Sequence, residues 1–211
     1  MEPTTERGRR TRQRIVDAAT HVVSEKGAAA ASLDEVGARA KASRSQLYHY
    51  FADKDELLRA VAEATNEAVL EGQRSLFEGF GSWSDLTRWM DALVDVQERL
   101  HGRGGCPIAS LVAQLGERDD DIRVELASGF DRWESEIRNG LDAMVAAGEL
   151  RSDTDVDWLA SSTLASLQGG LILTQAHRDP GALRRALDGA LALIGTFRSD
   201  ALMAGPGSIS R

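Results

Sequence analysis

Apolar residues recur at helical spacing along most of the chain. The first stripe predicts a helix over residues 11–26, because it follows the i, i+3, i+4, i+7, i+8 pattern of one helix face and stops at Gly27. Its members are Ile15, Ala18, Ala19, Val22 and Val23. Similar patterns predict later helices over residues 84–100, 107–115, 120–147, 156–177 and 180–198. With the shorter helices described next, the sequence predicts an all-α fold of about nine helices.

Three capping motifs divide the segment after Gly27 into short helices. In each, a Ser or Asp is followed three residues later by Glu or Gln, a pattern that satisfies the free amides of a helix start. The pairs are Ser32 and Glu35, Ser43 and Gln46, and Asp53 and Glu56. Because the first two starts are only eleven residues apart, they leave room for a short helix and a tight connection. This spacing predicts a helix-turn-helix motif, followed by a longer helix over residues 53–72.

Charge is distributed unevenly along the chain. The net charge is −8, yet residues 1–51 hold nine Lys and Arg against six Asp and Glu, a net charge of +3. Eight of these nine cations, together with Lys54 just beyond, lie at the approach to the first helix and around the predicted turn: Arg7, Arg9, Arg10, Arg12, Arg14, Arg39, Lys41, Arg44 and Lys54. Such a segment suits a phosphate backbone, although charge alone is equally consistent with a solvated surface.

The composition excludes several classes of protein. Hydrophobic residues make up 42% of the chain, enough for a buried core, but no apolar run approaches the roughly 18 residues of a membrane-spanning helix. A single cysteine cannot form an internal disulfide, and the four histidines are scattered. We therefore expect a cytoplasmic protein with no metal site and no cofactor.

The helix-turn-helix spacing makes the N-terminal quarter a candidate DNA-binding domain. The helix that begins after Ser43 would place its first turn in a major groove, where Arg pairs with guanine and Gln with adenine. The candidate base contacts are therefore Arg44, Ser45 and Gln46. Leu47 should instead pack inward together with Phe51, one turn later.

The stretch from Leu47 to Leu58 contains two short motifs, LYHYF and a capped KDELL. Together with TRQRIVDAATHVVSEKG and SLDEVGARAKAS before them, they resemble the tetracycline-repressor (TetR) family of bacterial transcription regulators. Two positions depart from the family pattern, since Lys41 stands where Gly is usual and Gly37 where Ala is usual. The resemblance implies phosphate contacts from Tyr48 and Lys54. Nearby cations and helix-start hydroxyls complete the candidate phosphate contacts: Arg10, Ser32, Lys41, Ser43 and His49.

The resemblance also implies a helical C-terminal domain that binds a small-molecule effector and dimerises through its last two helices. The expected boundaries are 1–52 for DNA binding, 53–200 for effector binding and dimerisation with 53–72 as the linking helix, and 201–211 for a flexible tail. The last helix carries two apolar stripes, so one of them is left for a partner to cover. The candidate interface residues are Leu167, Gly170, Leu183, Ala186, Leu187, Ala190, Leu193 and Phe197.

The candidate effector site consists of large or polar residues on the central helices, for each of which core packing is the competing interpretation. They are Trp89, Met90, Leu93, Phe130, Trp133, Ile137, Gln168 and Leu171. Aromatic residues make up only 5% of the chain but are concentrated in this region, which favours a moderately apolar effector.

Cys106 offers an alternative switch, because it begins a helix after two glycines. Backbone amides favour the thiolate there, and an accessible sulfur would react with oxidants or electrophiles. The competing interpretation is a small cap residue without a redox role. We expect a homodimeric, ligand-responsive repressor of a palindromic double-stranded DNA operator and not an enzyme. The alternatives are a thiol-sensing repressor and an acidic helical interaction module without specific DNA binding.

Overall fold

The computed structural model describes Pro3 and residues 5–199, and within them it confirms the all-α fold. The described residues form ten helices, one more than predicted. They are α1 Glu6–Lys26, α2 Leu33–Ala40, α3 Arg44–Tyr50, α4 Lys54–Glu71, α5 Arg74–Phe77, α6 Trp83–Arg99, α7 Pro107–Leu115, α8 Asp120–Ala146, α9 Val156–His177 and α10 Gly181–Gly195. The predicted tail at residues 201–211 lies outside the described residues.

Two differences from the sequence pattern have local causes. Helix α1 begins five residues before the predicted start, because the Thr5 hydroxyl accepts a hydrogen bond from the Gly8 amide at 3.1 Å and caps the helix. Glu6 in the first turn further favours this start through the helix dipole. The additional helix is α5, a single turn that is too short to show a periodic pattern.

The chain divides into two compact units. The first contains the residues up to Gly72 and Pro107–Phe130, so that α7 and the start of α8 join helices α1 to α4. The second contains Gln73–Cys106 and the chain after Phe130, with α5, α6, the rest of α8, α9 and α10.

The core of the first unit forms where α1 packs on α2 and α4. Ile15, Val22 and Val61 are completely buried there. Helix α7 supports the connection between α1 and α2, because the Gln114 side-chain oxygen accepts a hydrogen bond from the Ala28 amide at 2.7 Å. Helix α2 of the predicted helix-turn-helix motif therefore packs directly on a buried apolar core.

The second unit is dominated by the packing of α9 against α10. Gly170 makes this close approach possible, since a Cβ there would lie 2.9 Å from the Ala186 Cβ. The Thr174 hydroxyl accepts a hydrogen bond from the Leu183 amide at 3.0 Å. No helix among the described residues is long and apolar enough to cross a membrane.

Candidate functional site

The turn between α2 and α3 has a tightly specified geometry. Ser32 caps α2 by accepting from the Glu35 amide at 3.2 Å. Helix α2 ends at Lys41, whose φ of 49° lies in the left-handed region that favours glycine. The Ala42 amide then donates to the Gly37 carbonyl at 2.9 Å, and α3 begins two residues later. The helix-turn-helix motif expected from the capping pattern is therefore present, with a lysine at the strained position.

Helix α3 turns its first residues to solvent and its apolar residues inward. Arg44, Ser45 and Gln46 are all exposed, whereas Leu47 and Phe51 are each only 3% exposed. This confirms the inward packing predicted for Leu47 and Phe51. The exposed first turn has the position needed to enter a major groove.

The side chain of Gln46 is hydrogen-bonded to the start of its own helix. Its side-chain oxygen accepts a hydrogen bond from the Ser43 amide at 2.9 Å, and the Ser43 hydroxyl accepts from the Gln46 amide at 3.2 Å. This reciprocal pair is a complete capping box. A bidentate contact with adenine needs both the oxygen and the nitrogen of the amide. While Gln46 caps α3, only its side-chain NH₂ group can meet a base.

Arg44 lies over the ring of Tyr48, with 5.8 Å between the guanidinium carbon and the ring centroid. A side-chain hydrogen bond with Tyr48 raises the pKa of Arg44 above its usual value. Tyr48 is itself 48% exposed. The two side chains thus form one exposed, cationic surface at the start of α3.

The other candidate phosphate contacts lie around this turn, and some of them already bond to other groups of the chain. Lys41 and His49 are exposed, and the His49 ring lies edge-on to Tyr50 at 4.8 Å. The Lys54 ammonium group donates to the Ala29 carbonyl at 3.2 Å, so Lys54 also tethers the loop between α1 and α2. The Arg10 guanidinium group pairs with Glu6 at 2.6 Å on the solvent side of α1.

An open, cationic cleft of about 490 Å³ connects α1 with α3, and it is lined by Glu6, Arg7, Arg10, Thr11, Arg14 and Gln46. The three arginines follow i, i+3, i+7 spacing, so they share one face of α1. The apolar stripe did not predict this cleft, because it places the start of α1 after Arg7 and Arg10. The start signal was Thr5-Glu6, which has the chemistry of a helix cap.

The candidate effector residues belong to the second unit, except for Phe130, which belongs to the first. Trp89, Met90, Trp133, Ile137 and Leu171 are between 0% and 5% exposed. Leu93, Phe130 and Gln168 are partly buried. The Trp89 indole donates to the Gln73 side-chain oxygen at 2.9 Å, so Trp89 already has its polar partner within the chain.

The structure adds Gln97 to this set. Gln97 is 4% exposed, and its side-chain oxygen has no hydrogen-bond partner among the described residues. The sequence offered one signal for it: Gln97 lies one turn after Leu93 on the apolar side of α6.

The candidate dimer residues differ in how exposed they are within a single chain. Five of the eight are buried within the chain and join α9 to α10, so they are not available to a partner: Leu167, Gly170, Leu183, Leu187 and Ala190. Ala186, Leu193 and Phe197 remain partly exposed.

Cys106 is only 6% exposed, so the accessible sulfur expected from the preceding glycines is not observed. Gly105 has a φ of 61°, and a Cβ there would lie 2.6 Å from the Gln175 side-chain oxygen. The glycines therefore allow close packing of this loop and do not leave the thiol open.

Comparisons with known proteins agree with the helix-turn-helix geometry. The family model "Bacterial regulatory proteins, tetR family" matches residues 15–61, and "Tetracyclin repressor-like, C-terminal domain" matches residues 83–190. The transcriptional regulator AcuR of Cereibacter sphaeroides is 27% identical over 176 residues, which cover 81% of this chain and 79% of AcuR. The transcriptional repressor DhaR of Mycobacterium sp. strain GP1 is 25% identical over 183 residues, which cover 87% of this chain and 89% of DhaR.

Solved structures show the same fold. The crystal structure of a TetR-family transcriptional regulator from Cytophaga hutchinsonii has a TM-score of 0.78 at 19% identity, covering 93% of this chain and 98% of that one. The TetR regulatory protein from Rhodobacter sphaeroides has a TM-score of 0.73 at 22% identity, covering 85% and 96%. With one family model on the helix-turn-helix segment and another over half of the chain, the protein belongs to the TetR family of DNA-binding transcription regulators.

Proposed function

We propose that the protein is a repressor that binds a palindromic operator as a homodimer and leaves it when an effector binds in the second unit. The observation that carries this proposal is the exposed first turn of α3, which lies beside the cationic cleft on α1. Among the relatives, DhaR is named a repressor, which favours repression over activation. An effector that prefers a different conformation would shift the population away from the operator-binding state.

In this proposal the DNA contacts fall into two groups. Arg44, Ser45 and the NH₂ group of Gln46 read base edges in the major groove. The cations and hydroxyls around the turn hold the phosphate backbone and set the register. This second group comprises Arg7, Arg10, Arg14, Ser32, Lys41, Ser43, Tyr48, His49 and Lys54.

The proposed dimer interface is the exposed face of α9 and α10. Trp158, Ile172 and Leu173 on α9 are 49%, 57% and 50% exposed, an unusual exposure for large apolar side chains. Gly169 in α9 and Gly189 in α10 would each accept a Cβ without any neighbour within 4 Å among the described residues. A glycine inside a helix costs about 1 kcal/mol relative to alanine. Since the described part of the chain gives these glycines no packing role, close approach of the same face of a second copy accounts for them.

The domain boundaries follow as part of the same proposal. Residues 1–52 bind DNA, and residues 53–200 bind the effector and dimerise, with 53–72 as the linking helix. The protein acts in the cytoplasm, because the operator lies on the chromosome. It has no enzymatic role here, since its relatives are transcription regulators. A thiol switch at Cys106 receives no support from the buried position of that residue.

The test is selection of bound fragments from the source genome, followed by footprinting. We expect a palindromic site whose half-sites lie about one helical turn, or about 34 Å, apart or a multiple of it. Arg44→Ala should abolish protection of that site, whereas Arg99→Ala, which removes one positive charge from the second unit, should leave it intact. If no fragment is enriched over random DNA, or if Arg44→Ala binds as well as the wild type, the proposal is wrong.

A further inference from the structure

In the second unit, the side chains of Gln97, Trp133, Gln168 and Arg198 have buried polar atoms without a hydrogen-bond partner among the described residues. Arg198 packs over the Trp83 ring at the start of α6, fourteen residues from Gln97, so the other three form a separate set. The unpaired atoms of this set are the Gln97 side-chain oxygen, the Trp133 indole nitrogen, and both polar atoms of the Gln168 amide. Gln97 is 4% exposed and Trp133 is 3% exposed. Buried polar groups are nearly always paired in folded proteins, so each unpaired one calls for a physical explanation.

Neighbouring buried polar groups in the same unit are satisfied. The Gln73 amide accepts from the Trp89 indole at 2.9 Å. The Thr163 hydroxyl donates to the Leu159 carbonyl at 2.7 Å, and the Thr174 hydroxyl accepts from the Leu183 amide at 3.0 Å. The second unit therefore satisfies these buried polar groups within the chain, whereas Gln97, Trp133 and Gln168 keep unpaired polar atoms among the described residues.

The unpaired groups lie on three helices, α6, α8 and α9. Each is one helical turn from an apolar side chain on the same helix face: Gln97 follows Leu93, Trp133 precedes Ile137, and Gln168 follows Leu164. Ile137 is completely buried, and Leu164 is 7% exposed. The unpaired atoms of all three side chains are themselves buried, so they face the interior of the unit even though Gln168 as a whole is partly exposed.

No charged residue is fully buried among the described residues, where the buried polar residues are all Thr, Asn or Gln. Arg198, which has a buried unpaired nitrogen, lies beside Trp83 at the other end of α6 from Gln97. A charged ligand beside Gln97 would therefore have no buried ionic partner and would lose its hydration on entry. An uncharged ligand that both donates and accepts hydrogen bonds would satisfy the unpaired atoms.

Building on the effector role proposed above, we propose that the effector is an uncharged molecule with a hydrogen-bond acceptor and a donor. Primary amides, lactams and hydroxyketones belong to this class. The indole of Trp133 and the NH₂ group of Gln168 donate to the ligand carbonyl. The side-chain oxygens of Gln97 and Gln168 accept from its N–H or O–H group. A site built this way rejects analogues that lack either group, because its own polar atoms then stay unpaired.

The first test uses the ligand-free protein. Gln97→Met and Gln168→Met remove the unpaired amides at nearly constant length, so each should raise the melting temperature by about 2 °C. Gln73→Met is the matched control: it breaks the hydrogen bond to Trp89 and should lower the melting temperature. If Gln97→Met and Gln168→Met leave the melting temperature unchanged or lower it, these amides support the fold and the proposal is wrong.

The second test compares benzamide with benzoate and benzylamine, which share its ring but carry a charge at neutral pH. We expect benzamide at millimolar concentration to raise the melting temperature of the wild type, while the other two do not. Gln168→Met and Trp133→Phe should weaken benzamide binding at least tenfold. Equal stabilisation by benzoate or benzylamine, or no stabilisation by benzamide, would overturn the assigned ligand class.

Operator binding by the same variants distinguishes the two proposals. In the absence of ligand, all three variants should still bind the operator: Gln97→Met, Trp133→Phe and Gln168→Met. Failure of the wild type to bind any operator contradicts the proposed function. Failure of the benzamide comparison with operator binding intact contradicts the ligand class alone.

Discussion

The Asn66 side chain on α4 donates to the Glu125 main-chain carbonyl on α8 at 2.6 Å. A second hydrogen bond from the same NH₂ group reaches the Glu125 carboxylate at 3.0 Å. Asn66 is completely buried, so this polar link lies inside the first unit. Gly129, one turn further along α8, makes room for it, since a Cβ there would lie within van der Waals overlap of the Asn66 side chain. The α4–α8 contact thus depends on an asparagine and a glycine together.

We predict that Gly129→Ala destabilises the protein by about 1–3 kcal/mol, because the added methyl group overpacks against Asn66. In the background of Asn66→Ala the same substitution should cost far less and can become favourable, since alanine is the better helix former. Thermal unfolding of both single variants and the double variant gives the coupling energy. A coupling below about 0.5 kcal/mol would show that the two residues do not depend on each other.

Gln46 should show separate effects on helix stability and DNA recognition. Gln46→Glu keeps the side-chain oxygen that caps α3 but replaces the NH₂ group with a second oxygen. We therefore expect an almost unchanged melting temperature and at least a tenfold loss of operator affinity. Gln46→Ala should lose both the cap and the contact.

The control for Gln46 is Ser43→Ala, which removes the reciprocal cap at a cost of about 1 kcal/mol while sparing the Gln46 amide. This variant also loses one proposed phosphate contact, so it should bind all sequences more weakly but keep the base preference. Titration of each variant with operator variants, one base pair changed at a time, completes the comparison. If Gln46→Glu binds the operator like the wild type, its NH₂ group does not read a base.

The cationic face of α1 should contribute to DNA affinity without affecting sequence preference. Arg7→Ala and Arg10→Ala should each reduce the slope of log affinity against log salt by about 0.9, the value for one phosphate contact. Their ratio of operator to random DNA binding should stay constant. Arg44→Ala should instead cost about 1–3 kcal/mol on the operator and relax the preference at particular base pairs. An unchanged salt slope for Arg7→Ala would exclude it from the phosphate-binding surface.

The sequence predicted most helix positions because apolar period and capping residues agree in this chain. The bounds of α7 and α9 match the predicted ranges, and α2 begins directly after its predicted cap, Ser32. Each of the three helices begins at a capping residue or a proline. The DNA-reading turn was also predictable, since Ser43 and Gln46 form the same capping box that their spacing indicates. Capping residues were sufficient to predict the structure wherever it depends on where a single helix begins.

The sequence did not predict which face of α9 or of α10 is internal and which is exposed. Helix α9 carries apolar or small residues on all sides, so its periodicity does not distinguish an internal face from an external one. Gly169 and Gly170 are neighbours in sequence but point about 100° apart, and only Gly170 meets α10. The unpaired state of Gln97 and Gln168 also depends on what surrounds them, and that is a property of the tertiary structure alone.

The dimer face can be tested on the exposed residues of α9. Ile172→Asp places a charge on the proposed interface, so we expect a monomer in sedimentation experiments and loss of operator binding. The matched control is Val96→Asp on α6, where the side chain is 41% exposed but lies outside the proposed face. Both variants should keep the helix content of the wild type in circular dichroism, which shows that each subunit is folded. A dimeric Ile172→Asp protein would place the interface elsewhere.

Acid should lower the stability of the folded protein, and part of this loss should come from Asp119, which caps α8. Its carboxylate accepts a hydrogen bond from the Ile122 amide at 3.0 Å and pairs with Arg59 at 2.8 Å, and these contacts lower the pKa of Asp119 below its ordinary value of 3.8. A carboxyl whose pKa is lower in the folded state stabilises that state above its unfolded pKa. This stabilisation is lost as the pH falls through the lower, folded value of the pKa.

We predict that the wild type has a higher melting temperature than Asp119→Asn at pH 7. The difference between the two melting temperatures should shrink steadily between pH 4.5 and the acid limit of folding. Melting temperatures of the two proteins across this range measure it, with Asp188→Asn on α10 as a control for a general charge effect. A difference that does not depend on pH would mean that the Asp119 charge adds no stability beyond the cap that asparagine also provides.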